Sequence, residues 1–263
     1  MAHCQNAGLS FLIAVLFALL APVHAARADE HAGHGAPHWE YSGPEGPDHW
    51  GDLDPSFAAC KNGKSQSPIN IDGAKKAALQ PIQFDYKPSP LKIINNGHTI
   101  QINYDPGSSI TVGGKQYSLI QFHFHRPSEE MIHGRQFDMV IHLVHQDSAG
   151  NPAVVGILVK SGKENATIQK LWGNLPEKAG KERDAPNVTV DAAQLLPADR
   201  NYYSFAGSLT TPPCTEGVSW YLFSSPVEFS AGQIATFAKI YPMNARPTQP
   251  ANGREILESG LKR

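Results

Sequence analysis

The chain predicts a mainly β fold with a few peripheral helices, on three observations. Short runs of alternating apolar and polar residues recur between residues 91 and 223, which is the period of half-buried strands. Glycine and proline are plentiful, 23 and 21 of 263 residues, which suits many short segments joined by turns. Helical patterning is confined to 165–175 and 230–242, and no internal repeat or heptad run is present.

The elements follow in chain order. "LSFLIAVLFALLAPV" (9–23) is apolar but short for a bilayer span, and small-residue cleavage sites follow it after Ala25 and Ala28. Residues 1–25 therefore read as a signal peptide, although "MAHCQNAG" before the apolar run carries no Lys or Arg. A retained membrane anchor is the alternative. Residues 26–37 read as a flexible His-rich segment, and 38–263 as one domain. Its neighbouring histidines, His31, His34 and His38, read as a polar tail, with loose metal binding as the alternative. Cleavage removes Cys4 and leaves Cys60 and Cys214. Two cysteines in an oxidising compartment suggest one disulfide, worth about 4–5 kcal/mol for a loop of this length; two buried thiols are the alternative.

"LKIINNGHTIQINY" (91–104) has two alternating arms around Asn-Asn-Gly, a hairpin or bent strand. Further strands are expected over 117–125, 136–145, 153–160, 202–207 and 218–223. Helices are expected over 230–242, with Ser230 as cap, and more weakly over 165–175. The net charge of −2 gives no electrostatic case for nucleic acid or an anionic membrane as partner.

"QFHFHRP" (121–127) places His123 and His125 on one face of a strand, with Phe122 and Phe124 on the other. "RQFDMVIHLVHQD" (135–147) is a second strand-like run, and the turn residues between the two allow antiparallel pairing. A third histidine can then meet the first pair. Three imidazoles with a water completing a tetrahedron make a catalytic zinc site. Parity alone does not choose between His142 and His145, which lie on opposite faces.

Resemblance supplies the choice. "QFHFH", "SE" at 128–129, "HLVH" at 142–145 and "SLTTPPCTEGVSW" at 208–220 resemble the α-class carbonic anhydrases, as do "HWGDLDPSFAACKNGKSQSPINI" (49–71), "NNGH" (95–98) and "NARPTQP" (244–250). The resemblance implies a large twisted, mostly antiparallel central β-sheet with zinc at the bottom of a conical cleft. It implies zinc-dependent, reversible hydration of CO2 to bicarbonate and a proton, by attack of zinc-bound hydroxide. Its zinc ligands are His123, His125 and His142, and His145 becomes structural. The zinc-water pKa near 7 is a figure borrowed from this family.

The same resemblance assigns the remaining roles. Thr210 accepts from the hydroxide and donates to Glu129. Val144, Val154, Leu209 and Trp220 line an apolar CO2 pocket with Thr211 at its mouth. His98 is the proton shuttle, the role for which a histidine side chain is suited near neutral pH. Gln121 supports the first ligand, the Asn244 backbone the second, and Arg246 is a buried structural arginine. Cys60 and Cys214 occupy positions bridged in exported bacterial members. One position departs from the pattern: where the family often has a glutamate beside the third ligand, this chain has Val140. Looser zinc or altered water acidity is expected, unless a backbone carbonyl or water substitutes.

The expected protein is periplasmic or secreted, free of the membrane after cleavage, with CO2 and bicarbonate as its small-molecule partners. The alternatives are a non-catalytic zinc- or ligand-binding relative, a hydrolase of activated esters, and a metal-sequestering protein that uses the His tail. Non-catalytic relatives typically lose a zinc ligand, and none is lost here.

Overall fold

The computed structural model describes Met1 and residues 37–260 apart from 177 and 181; the expected signal peptide and nearly all of the His-rich segment lie outside the described residues. Among those residues, thirteen strands form one mixed sheet. Eight of its strands are β1 (Ser89–Asn95), β2 (Ile100–Asn103), β3 (Lys115–His125), β4 (Met139–Gln146), β5 (Pro152–Ser161), β6 (Glu182–Val190), β7 (Tyr202–Ser208) and β8 (Glu216–Phe223). They lie in the order β6-β1-β2-β3-β4-β5-β8-β7. Pairing among these eight is antiparallel except for β5 with β8. The sheet and the scarcity of helices match the expectation.

Alternation along each strand sorts side chains between two apolar layers. Phe122 and Phe124 of β3 and Met139, Ile141 and Leu143 of β4 enter the larger core. Helices α1 (Ala166–Trp172) and α2 (Ala231–Ala238) add Ile168, Leu171, Trp172 and Phe237 to that layer. Phe124 meets Trp172 edge-on, with ring centroids 5.0 Å apart. The opposite face of β4 and β5 gives Val140, Val144 and Val154 to a second cluster with Trp220 and Leu222. Strand β5 is buried on both faces, so "AVVGILV" reads as a continuous apolar run instead of an alternation. Ser230 caps α2 as expected, within a reciprocal capping box with Gln233.

His145 shows the back layer using a polar group. It is fully buried, with Nε2 2.7 Å from the Tyr86 hydroxyl, and burial pulls its pKa down to about 3. The unfolded chain therefore takes up this proton first, near pH 6.5. The associated stability is complete above that pH and declines as pH falls from about 6.5 toward 3. His145→Gln retains a polar side chain near Tyr86 but does not titrate. We expect it to lose about 2 kcal/mol less stability than the unaltered protein between pH 7 and pH 5, measured by urea unfolding.

Candidate metal centre

Register brings the site together. In the β3–β4 ladder His142 lies directly opposite His123, and Val140 opposite His125. The three rings His123, His125 and His142 thus share one face, with centroids 4.8–5.5 Å apart. One ligand atom from each lies within 4.8 Å of the others. His145 is excluded by facing the other layer, so pairing decides what parity left open.

Each ring has one nitrogen tied to the protein. His123 Nδ1 lies 2.8 Å from Gln121 Oε1, and His125 Nδ1 lies 2.8 Å from the Asn244 carbonyl. Asn244 is itself fixed: its Oδ1 accepts from the Arg126 N–H at 2.7 Å, and its Nδ2 donates to the Phe124 carbonyl at 3.0 Å. His142 Nε2 lies 3.1 Å from Glu130 Oε2. The nitrogens left facing one another are Nε2 of His123, Nε2 of His125 and Nδ1 of His142.

These groups fit a dication. His125 Nε2 is buried without a hydrogen-bond partner, an arrangement that metal coordination would satisfy. Burial, reinforced by His142, pulls His123 down to about 3; burial, His142 and His123 hold His125 well below the ordinary value. Both are neutral at pH 7, the form that ligates. Burial also pulls on His142, but the Glu130 and Glu129 carboxylates outweigh it and raise its pKa. An all-imidazole set within this space suits zinc with a position left open.

Glu129 is buried beside the cluster, with Oε2 3.4 Å from His125 Nε2. Its other oxygen accepts the Arg246 backbone N–H at 2.8 Å. Burial pushes the Glu129 carboxyl up to about 8, Glu130 adds to the rise, and His142, the Arg246 N–H and the Thr210 hydroxyl oppose it. A dication among the imidazoles would favour the ionised form further. Arg246 is buried, as expected; its guanidinium donates to Gln66 Oε1, to the Ser67 carbonyl and to the Cys60 carbonyl at 2.7–3.0 Å.

The other expected residues are distributed as follows. Val154 and Trp220 are buried in the second apolar cluster, and Val144 and Leu209 pack against it half-buried. The Trp220 indole stands edge-on to His142, with centroids 4.9 Å apart. Thr210 is buried and Thr211 half-buried. His98 is half-buried, stacked on Trp39 at 3.7 Å, with Nε2 2.9 Å from the Trp39 carbonyl. Cys60 and Cys214 form a disulfide. Val140 requires a correction to what the sequence suggested. The N–H of His142 does not lack a carboxylate, because Glu130, which sequence reasoning missed, stands at hydrogen-bond distance.

The comparisons agree with this geometry. A family model described as eukaryotic-type carbonic anhydrase matches residues 45–260. A carbonic anhydrase of Klebsiella pneumoniae is 44% identical over 227 residues, covering 85% of this chain and 92% of the relative. One from Neisseria gonorrhoeae is 44% identical over 242 residues, covering 91% and 94%. The α-carbonic anhydrase of Thermovibrio ammonificans, solved with sulfanilamide, superposes with a TM-score of 0.82 at 45% identity, over 85% of this chain and all of that one. A shared sheet, a matched family model and relatives at this identity lead to one assignment: the chain belongs to the α-carbonic anhydrase family.

Proposed function

We propose that the cleft carries out the family reaction, reversible hydration of CO2, with Zn2+ held by His123 Nε2, His125 Nε2 and His142 Nδ1. The observation that carries this reading is the set of three imidazoles on one face, each with its remaining nitrogen already bonded to the protein. Zinc bound there supplies a Lewis acid that brings the acidity of water near pH 7, a value borrowed from carbonic anhydrases themselves.

The chain's own groups do the rest. With a dication held among the imidazoles Glu129 is ionised and can only accept, so Thr210 donates to it and keeps its oxygen free to accept from the attacking water. That one-way polarity aims a lone pair toward the substrate. Carbon dioxide has no charge to grip, so a dry wall serves it better than a cationic clamp. Val144, Val154, Leu209 and Trp220 form that wall, with Thr211 at its mouth.

Proton loss sets the last requirement. Proton exchange with bulk water at pH 7 is limited to about 10³ s⁻¹ by the diffusional ceiling, so a fast site needs a side chain to relay the proton to buffer. His98 fills that role by leaving its stack on Trp39 to face the cleft and returning to solvent. His98→Ala should lower kcat by about tenfold or more in dilute buffer, toward the limit set by water. Added imidazole should restore it while leaving kcat/KM nearly unchanged; equal kcat in dilute buffer would remove His98 from the relay.

The test of the function is stopped-flow CO2 hydration on protein of verified zinc content. Hydration should vanish on chelation and return with Zn2+. A zinc-loaded protein that fails to hydrate CO2 would leave only a binding role. We also read residues 1–25 as a cleaved leader and the protein as periplasmic or secreted. The Cys60–Cys214 bridge supports this, since disulfides persist in oxidising compartments. Among the described residues, no helix is long and apolar enough to cross a membrane.

A further inference from the structure

The outer nitrogen of His142, like those of His123 and His125, needs an acceptor to fix its ring. Val140, two residues earlier on the same face, offers none and is itself packed among Ile69, Ile71, Phe137 and Leu158. The acceptor comes instead from Glu130, twelve residues back along the chain, whose Oε2 lies 3.1 Å from His142 Nε2. Glu130 is completely buried, and the turn that carries it is locked. Ser128 Oγ donates to the Glu130 carbonyl at 2.8 Å and accepts from the Phe137 N–H at 2.9 Å. Gln136 Nε2 donates to the Ser128 carbonyl at 2.9 Å. A buried carboxylate is costly unless a partner uses it, and the partner here is a ligand ring.

We propose that Glu130 is a positioning residue of the metal site. Its carboxylate accepts the Nε2–H of His142, fixes the tautomer that leaves Nδ1 free for zinc, and replaces the carboxylate absent at position 140. The inference rests on the zinc reading above. It makes positions 130 and 140 one functional unit that needs a single carboxylate. With none, the His142 ring is free to turn and its tautomer is unfixed. With two, like charges meet in a buried site, which is unfavourable. Partners in this position typically change metal affinity by about 10–100-fold.

The test is a cycle on the zinc-loaded protein. Zinc release to a chelator should be about 10–100-fold faster in Glu130→Ala. Adding Val140→Glu to that variant should recover at least about tenfold of the loss. Glu130→Gln keeps the size and a neutral acceptor, and should release zinc a few-fold faster, since hydrogen bonds to charged groups are about twice as strong. The His142 Nε2–H proton resonance should vanish in Glu130→Ala and return in the double variant. Release from Glu130→Ala at the original rate would overturn the proposal. So would accelerated release that Val140→Glu fails to recover while the protein stays folded, because Glu130 would then be merely structural. Failure of the unaltered protein to hold one zinc would overturn the zinc reading instead; the resonance in metal-free protein would still decide whether Glu130 holds His142.

Discussion

His142→Ala is expected to weaken zinc binding, so that the protein holds less than one zinc per chain, and to lower kcat/KM for CO2 hydration by about 10³-fold or more. The magnitude follows from what the metal contributes. Bringing water from a pKa of 15.7 to about 7 corresponds to about 12 kcal/mol of hydroxide stabilisation, and losing a third of it is about 4 kcal/mol, or about 10³-fold. Alanine removes one of three nitrogens and also leaves Glu130 buried without its partner, so the remaining pair would hold a dication in a poorer cage. The matched control is His145→Gln. That ring faces the opposite layer and bonds Tyr86, so this variant should keep one zinc per chain and its hydration rate. Zinc content by atomic absorption and hydration by stopped flow check both. A His142→Ala protein that retains zinc and rate would remove that residue from the ligand set.

The contrast between His142 and His145 also shows where local pattern stops being informative. A period of two puts His123 and His125 on one face, and the ladder confirms it. The same period places His142 and His145 on opposite faces without saying which face is which. That depends on His142 pairing with His123, a property of two strands together. Asn244 and Arg246 lie more than a hundred residues from the groups they support, beyond any periodicity, and only the family motif pointed to them. Glu130 escaped both kinds of reading. The doubled glutamate after Ser128 looks like a solvated turn, and its side chain is committed only when the locked turn folds back over β4. Its sequence signal was joint: a missing acceptor at Val140 and a surplus carboxylate nearby. Strand β6 was also missed, because as the sheet's edge it is mostly exposed and carries little alternation. The helices Trp50–Leu53 and Ala59–Asn62 are four residues each, too short to display a period.

Removing the disulfide should produce the largest loss of stability. Cys60 and Cys214 are 154 residues apart in sequence, and closing a loop of that length restricts the unfolded chain by about 5 kcal/mol on the entropic account. The paired variant Cys60→Ser/Cys214→Ser is therefore expected to melt about 10–20 °C lower, at about 2–4 °C per kcal/mol for a domain of this size. The bridge is also tied to the site from both ends. Arg246 donates to the Cys60 carbonyl at 3.0 Å while its backbone N–H holds Glu129, and Gln66 donates to the Cys214 carbonyl at 3.0 Å. The loop that carries Thr210 has supports of its own, however: the Leu209 N–H donates to the Thr215 carbonyl and the Cys214 N–H to the Thr211 carbonyl. Those bonds predict that stability and catalysis separate. At 25 °C the folded variant should keep its zinc and hydrate CO2 within about threefold of the unaltered protein, because the hydrogen bonds that set the loop survive while the cross-link that restrains the unfolded chain does not. Scanning calorimetry and stopped flow on one preparation test both halves. A melting point within a few degrees of the original would show that the bridge contributes no net stability, and a collapse of activity in fully folded protein would move the bridge from the stability of the fold into the geometry of Thr210.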